Sequence, residues 1–188
     1  MRRPLEALLS AVLLLALSLT GCGSSSSPSG PSAGASIPFR STALINGSIP
    51  VRYTCDGKNI SPPVEWGGVP ASARELALFA IGSGTGGKGP ISVEWALAGV
   101  NPALHALGAG EMPPGAHIGR TSDGKRRYSI CPPKGQARRY QFAVLTVPPT
   151  IRVEPRFSGI ALLRGILNSK SATGSKSAGL FFATYKRK

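Results

Sequence analysis

Residues 53–66, which read YTCDGKNISPPVEW, form the most distinctive stretch of the chain. Just before and into it, Val51-Arg52-Tyr53-Thr54 alternates apolar and polar residues, which is the pattern of a β-strand with one buried face. The Asp56-Gly57 pair that follows is a turn dipeptide, because aspartate accepts local hydrogen bonds and glycine tolerates unusual backbone angles. This region therefore predicts a strand that ends in a tight turn.

Runs of strand-forming residues recur on both sides of this stretch, with turn signals between them. Continuous apolar runs are expected for strands that are buried on both faces. The predicted strands cover residues 37–41, 51–54, 75–81, 91–98, 140–147 and 179–185. One helix is predicted over residues 158–167, where apolar residues recur at helical spacing. The chain is thus expected to be mostly β, with a small helical element near the C-terminus.

The composition favours the same class of fold. The 188 residues include 24 Gly and 17 Pro, and 41% of the residues are hydrophobic. This apolar fraction is too high for a disordered chain, and so many Gly and Pro residues disfavour a helical bundle. The length suits one domain of roughly 100–200 residues.

The N-terminal residues are predicted to lie outside the fold. An apolar run over residues 7–19 is too short for a membrane span of about 20 residues, but it fits a secretory signal. Leu19-Thr20-Gly21-Cys22 then has the pattern of a bacterial lipobox, whose cysteine takes a diacylglycerol. The alternative is an ordinary secretory signal with an incidental cysteine. We expect residues 1–21 to be a lipoprotein signal peptide and the chain to be exported, with Cys22 anchoring it in the cell membrane on the extracytoplasmic face.

Residues 22–36, CGSSSSPSGPSAGAS, show no hydrophobic period and predict a flexible tether. A tether of this composition and length has a reach on the order of 20 Å. The folded domain is expected to occupy residues 37–188.

If Cys22 carries lipid, two cysteines remain. Cys55 and Cys131 either form a disulfide, which persists in exported proteins, or stay as buried free thiols in separate turns. The sequence leaves both alternatives open. The chain has no CxxC motif and no Cys/His cluster, so we expect neither a metal site nor a cofactor.

The 53–66 stretch resembles the phosphatidylethanolamine-binding protein (PEBP) family, also called Raf kinase inhibitor-like proteins, in its bacterial YbhB/YbcL-like branch. In that branch the pattern is Y-T-C-D-G, then S-P-P, an apolar residue and a Trp. Residues 91–101, 128–140 and 179–187 match later family segments in the right order. The resemblance implies a β-sandwich of two antiparallel sheets, helices near the C-terminus and a small anion-binding pocket at one end.

The resemblance also implies which residues surround that pocket. They are Asp56, Pro62, Glu94, Trp95, Tyr128, Cys131, Pro132, Arg138 and Tyr140. Pro62-Pro63 would form a rigid turn beside it. For Asp56, a role in the local turn is the favoured alternative, because Gly57 follows directly. For the two tyrosines the alternative is an ordinary place in the core.

Several pocket positions depart from the family pattern. The family segment D-P-D-x-P is replaced here by Gly82-Ser83-Gly84-Thr85-Gly86, and the family's G-P before Cys by Ser129-Ile130. Glu94 and Arg138 each stand where the family has a histidine. We hypothesise that these two form a salt bridge, because a carboxylate in an apolar strand is not buried unpaired. A separation beyond about 6 Å would contradict this pairing, and the alternative is that each faces solvent.

The sequence therefore predicts a non-enzymatic, membrane-tethered binding protein for a small anion, such as a phospholipid head group, or for a protein partner. No Gly-x-Ser-x-Gly elbow, Cys–His pairing or acid pair indicates an enzyme. The alternative function is electrostatic attachment to anionic lipid or wall polymer. From residue 120 onward there are 15 Lys and Arg against two acids, whereas residues 22–119 carry five of each. An exported location argues against nucleic acid as a partner.

Overall fold

The computed structural model describes residues 36–83, 90–169 and 177–188. Within these ranges the chain forms eight strands, one α-helix and two short 3-10 turns. The strands are β1 (Phe39–Arg40), β2 (Val64–Trp66), β3 (Leu76–Ser83), β4 (Ser92–Val100), β5 (Ala106–Leu107), β6 (His117–Ile118), β7 (Ala137–Thr146) and β8 (Ala178–Lys186). The helix, α1, covers Gly159–Asn168, and the 3-10 turns cover Ile45–Gly47 and Val51–Tyr53. The predicted mostly-β class with a C-terminal helix is confirmed.

The strands form two antiparallel sheets. The smaller sheet has the order β1-β2-β5, and the larger has the order β6-β4-β3-β7-β8. One face of the larger sheet packs against the smaller sheet, in a core that includes Trp66, Leu78 and Phe142. The other face packs against α1, where Phe79 and Leu163 are buried. Covering on both faces explains the continuous apolar runs within β3, β4 and the second half of β7.

Both cores are built from residues that follow the N-terminal region. Every buried member of the inter-sheet core and of the helix-side core lies between Ile37 and Tyr185. The chain from Ser36 onward therefore contains the complete described core, and we treat it as a self-contained folding unit. No helix in the described ranges is long and apolar enough to cross a membrane.

The helix forms one residue later than the sequence predicts. Ser158 caps its N-terminus, since the Ser158 side chain accepts a hydrogen bond from the Ala161 N–H. Gly159 is suited to the first turn because a Cβ there would lie 2.9 Å from the Cβ of Ala96 on β4. The glycine thus lets the helix backbone approach the sheet, while Leu163 and Ile166 fill the core beneath it.

The strand predicted over residues 51–54 is wrong, because this segment is the 3-10 turn Val51–Tyr53. The Tyr53 N–H donates to Pro50 O at 2.9 Å, and the Thr54 N–H donates to Val51 O at 3.0 Å. The Thr54 hydroxyl also donates to Val51 O, and the backbone of Gly57 packs closely against Val51. These local contacts satisfy the backbone without a neighbouring strand.

Cys55 and Cys131 form a disulfide, with their Cα atoms 5.3 Å apart. Beside it, the Cys55 N–H donates to Ile130 O at 3.1 Å. Of the two alternatives that the sequence left open for these cysteines, the structure therefore shows the disulfide. The bridge joins the turn after the 3-10 segment to the segment that leads into β7.

Candidate functional site

An irregularity in β4 brings Glu94 to the site. Ala80 pairs with Trp95 and Ile81 pairs with Val93, so Glu94 is an extra residue with no counterpart on β3. Val93 accordingly packs in the helix-side core and Trp95 in the inter-sheet core, although residues two apart in a regular strand share a face. Such a bulge redirects side chains, and here it turns Glu94 toward the inter-sheet side.

Strand β7 supplies the cation of the site. Arg138 and Tyr140 are two residues apart in β7, so their side chains leave the strand on the same face. Tyr140 lies opposite Gly82 of β3 and belongs to the inter-sheet core. Arg138 lies opposite Tyr185 of β8. The site is therefore formed where β3, β4, β7 and β8 run side by side.

The structure brings Glu94 and Arg138 together, as hypothesised. Arg138 Nη1 lies 3.6 Å from Glu94 Oε1, and the two side chains are 31% and 15% exposed. Ser92 bridges them, because its hydroxyl donates to Glu94 Oε1 at 2.7 Å and accepts from Arg138 Nη1 at 3.3 Å. The result is a half-buried ion pair in which a hydroxyl links the carboxylate to the guanidinium.

Burial dominates the electrostatics of this cluster. It raises the pKa of Glu94 above its usual range, against the opposing effects of the Ser92 hydrogen bond and the Arg138 charge. Burial also raises the pKa values of Tyr128 and Tyr140, and the Glu94 charge adds to both shifts. Both phenols consequently keep their protons at neutral pH, so each hydroxyl is able to donate a hydrogen bond.

Gly82 leaves the room that this cluster occupies. A Cβ at Gly82 would lie 2.9 Å from Ser92 Oγ, 3.2 Å from Tyr140 Cε1 and 3.3 Å from Glu94 Oε1. The absence of a side chain on β3 is therefore matched by the presence of a carboxylate from β4. The position of the Glu94 carboxylate therefore depends on a glycine at position 82.

The Tyr140 hydroxyl is the unsatisfied group of the site. Tyr140 is completely buried, and its hydroxyl has no hydrogen-bond partner within residues 36–83, 90–169 and 177–188. Leaving a buried hydroxyl unpaired costs about 1–3 kcal/mol, so such groups call for a specific explanation. Arg138, two residues away on the same face, is close enough to affect the Tyr140 pKa.

Trp95 and Tyr128 form a wall beside Glu94. Their rings meet edge to face with centroids 5.9 Å apart. The Tyr128 hydroxyl donates to Tyr53 O at 3.0 Å, and the Ser129 N–H donates to Glu94 O at 2.9 Å. Tyr128 thus has the core role that the sequence left as its alternative, and its hydroxyl is already satisfied.

Asp56 belongs to a separate cluster. Its carboxylate accepts hydrogen bonds from the Tyr185 hydroxyl at 2.6 Å and from Arg187 Nε at 3.0 Å. These contacts, led by the Tyr185 hydrogen bond, lower the Asp56 pKa. The turn itself is closed by the backbone bond from the Gly57 N–H to Thr54 O. The Asp56 side chain therefore does not cap the turn, which corrects the favoured interpretation.

Among the described residues, the other predicted pocket residues make no hydrogen bond or ion pair with the side chains of Glu94 and Arg138. Pro62 is buried just before β2, Cys131 is in the disulfide, and Pro132 O accepts a hydrogen bond from Arg187 Nη1 at 3.4 Å. Sequence reasoning missed Ser92, whose signal was its place two residues before Glu94. It also missed the role of Tyr185 and Arg187, which it used only as the closing Y-x-R of a strand. In the described part of the chain, no group of three His, Cys, Asp or Glu residues could hold a metal ion.

Comparison with known proteins gives a consistent picture. The family described as phosphatidylethanolamine-binding protein matches residues 40–178. A protein named "Putative lipoprotein LppC" from Mycobacterium tuberculosis H37Rv is 31% identical over 125 residues, which are 65% of this chain and 61% of LppC. A UPF0098 protein from Methanothermobacter thermautotrophicus is 36% identical over 115 residues, which are 58% of this chain and 74% of that protein.

A solved structure shows the same fold. The crystal structure of Escherichia coli YbcL, described as a member of the mammalian PEBP family, matches with a TM-score of 0.65 and 24% identity. The match covers 82% of this chain and all of YbcL. The chain spans only about three-fifths of the length of LppC. On the family match and the shared fold, this chain belongs to the phosphatidylethanolamine-binding protein family.

Proposed function

We propose that this protein is a membrane-tethered binding module that takes a small anionic ligand at Arg138. The observation that carries the proposal is the half-buried Arg138 guanidinium beside the unpaired hydroxyl of Tyr140. Both groups are donors on the same face of β7. An oxyanion bound between Arg138 and Tyr140 would give this hydroxyl a partner, which it lacks among the residues that the structure describes.

Most N–H groups of the Arg138 guanidinium are available to a ligand. A guanidinium carries five N–H groups, and its planar fork matches carboxylate and phosphate oxygens. In the described residues, Arg138 donates one hydrogen bond, to Ser92 Oγ, and lies beyond direct hydrogen-bond distance from Glu94. We interpret Glu94 as a resident counter-charge with which an entering anion competes.

The direct test replaces Arg138 and uses its neighbour as the matched control. Arg138→Ala is expected to weaken binding of sulfate to residues 23–188 by at least about tenfold, because charge-assisted hydrogen bonds are lost. Arg139→Ala removes the same charge from the opposite face of β7, where Arg139 lies over the Phe182 ring at 3.9 Å. Calorimetric titration should show the control within about twofold of the parent protein. Equal losses in the two variants would assign the binding to general positive charge and reject the site.

Binding is also expected to depend on pH through Glu94. The pKa of Glu94 is raised, so its carboxylate takes up a proton at a higher pH than an ordinary glutamate does. Protonation removes the counter-charge from Arg138, and anion affinity should therefore rise as the pH is lowered from neutral toward that pKa. Sulfate is a suitable probe because its own charge stays constant over this range. Glu94→Gln should bind sulfate several-fold more tightly at neutral pH and lose the pH dependence, and a variant that keeps the full dependence would contradict this role.

The membrane tether is the second part of the proposal. It is supported by the lipobox pattern that ends at Cys22 and by the name of the relative LppC. Two acyl chains anchor a protein firmly, whereas one chain is marginal. Cys22→Ser should abolish incorporation of a labelled fatty acid into the chain in bacterial cells, with Ser27→Ala as a control that keeps the label. Labelled fatty acid in the Cys22→Ser chain, or none in the parent chain, would argue against lipidation at Cys22.

A further inference from the structure

A cleft lies between the disulfide-linked turn and the end of β8. It has a volume of about 660 Å³, and its lining includes Asp56 and Tyr185 together with three lysines, Lys134, Lys186 and Lys188. It is distinct from the Glu94–Arg138 site, whose residues do not line it. Tyr185 lies opposite Arg138 in the β7–β8 register, so the two sites are neighbours in the same sheet.

The cleft has an unbalanced positive charge. Asp56 is the only acidic side chain in its lining, and the Asp56 carboxylate is already engaged by Arg187 at 3.0 Å and by the Tyr185 hydroxyl. None of the three lysine ammonium groups has an ion-pair partner among the residues that the structure describes. The ammonium groups are exposed on flexible stems, which suits contact with several oxyanions at once rather than with one fixed ligand.

Apolar side chains border the same cleft. Val51 lines it and is 52% exposed. The neighbouring 3-10 turn, Ile45–Gly47, presents Ile45 with 68% exposure, and the turn lies against β8 next to Phe182. Binding of a small soluble anion would not require exposed apolar side chains such as Val51 and Ile45. A surface that combines lysines with exposed apolar side chains is suited to the head-group region of a bilayer.

We propose that this lysine cleft docks onto a bilayer by binding the phosphate groups of anionic phospholipids. This goes beyond the proposed function, because it assigns a second site and a different ligand source. The proposal also specifies which part of the basic C-terminal half of the chain contacts the membrane. Lys134, Lys186 and Lys188 supply the charge, and Val51 supplies apolar contact at the level of the head groups.

The position of the chain's entry into the domain permits this contact. Ser36 pairs with Ala178 at the start of β8, whereas Lys186 ends the same strand. Eight residues of strand span about 26 Å. The 15 residues of the predicted tether would extend to about 50 Å at most and reach on the order of 20 Å on average. An anchor at Cys22 and the docked cleft are therefore compatible with one bilayer, and this step alone rests on the proposed tether.

The test uses residues 23–188, which lack the predicted lipid acceptor but keep every core residue that the structure describes. Binding is measured to phosphatidylcholine vesicles with and without phosphatidylglycerol. The triple variant Lys134→Gln, Lys186→Gln, Lys188→Gln should lose affinity for the anionic vesicles on the order of a hundredfold. The matched control Arg74→Gln, Lys125→Gln, Arg164→Gln removes the same charge from exposed positions elsewhere and should lose less than about threefold. Melting curves of both triple variants should match that of the parent.

Four outcomes would overturn the docking site. They are no binding of the parent protein to anionic vesicles, equal loss in both triple variants, binding that does not require phosphatidylglycerol, and binding of free glycerol 3-phosphate without binding of vesicles. Sulfate titration separates the two sites, because the triple lysine variant should keep the sulfate affinity of the parent protein while it loses vesicle binding. A failure of the anion site at Arg138 and a failure of the lysine cleft are therefore distinguishable.

Discussion

Replacing both bridged cysteines, through Cys55→Ser with Cys131→Ser, is expected to lower the free energy of unfolding by about 4 kcal/mol. The bridge closes a loop of 76 residues, so it removes many conformations from the unfolded chain. That loop contains β2 to β6, which include the whole of β3 and β4. Two of the three inner strands of the larger sheet, β3 and β4, therefore lie within the loop that the disulfide closes.

Urea denaturation of residues 23–188 would measure this effect. The parent protein should lose the same stability when a reductant is added, while the double variant should not respond to reductant. The disulfide acts mainly by restricting the unfolded chain, so its removal should leave the folded structure unchanged. The folded double variant should therefore still bind sulfate at Arg138. A loss below about 1 kcal/mol would show that the bridge contributes little beyond the contacts around it.

The sequence predicted the long central strands well, for a physical reason. β3, β4 and β7 are covered on both faces, so their burial appears in the sequence as continuous apolar runs. Residues 51–54 misled the prediction because four alternating residues fit a strand only if a partner strand is available. Here Pro50 and Gly57 favour local contacts instead, and the segment closes on itself as a 3-10 turn.

The candidate site was predictable in its charges but not in its geometry. A glutamate in an apolar strand required a partner, and Arg138 was the cation at a matching family position. The bulge that turns Glu94 inward depends on the register between β3 and β4, which no single strand's sequence contains. The lysine cleft likewise depends on tertiary structure, because it brings together residues 51, 134 and 188.

Gly82→Asp is expected to destabilise the domain by about 3 kcal/mol or more. A Cβ at this position already comes within 2.9 Å of Ser92 Oγ, and the new carboxylate would meet that of Glu94, whose Oε1 lies 3.3 Å from the Cβ position. Overpacking alone costs typically about 1–3 kcal/mol, and two close carboxylates in a half-buried place repel each other. Gly67→Asp is the matched control, because a Cβ at Gly67 meets nothing within 4 Å.

A double variant tests whether positions 82 and 94 depend on each other. The family resemblance places an Asp of the family pattern at Gly82 and a His at Glu94, so the pattern has a carboxylate on β3 where this chain has one on β4. If the two positions are one unit, Gly82→Asp combined with Glu94→His should recover most of the stability that Gly82→Asp loses alone. The expected coupling between the two substitutions is about 1–3 kcal/mol. Urea denaturation of the parent, both single variants and the double variant measures this coupling, and simple addition of the two single losses would mean that Gly82 and Glu94 contribute independently to stability.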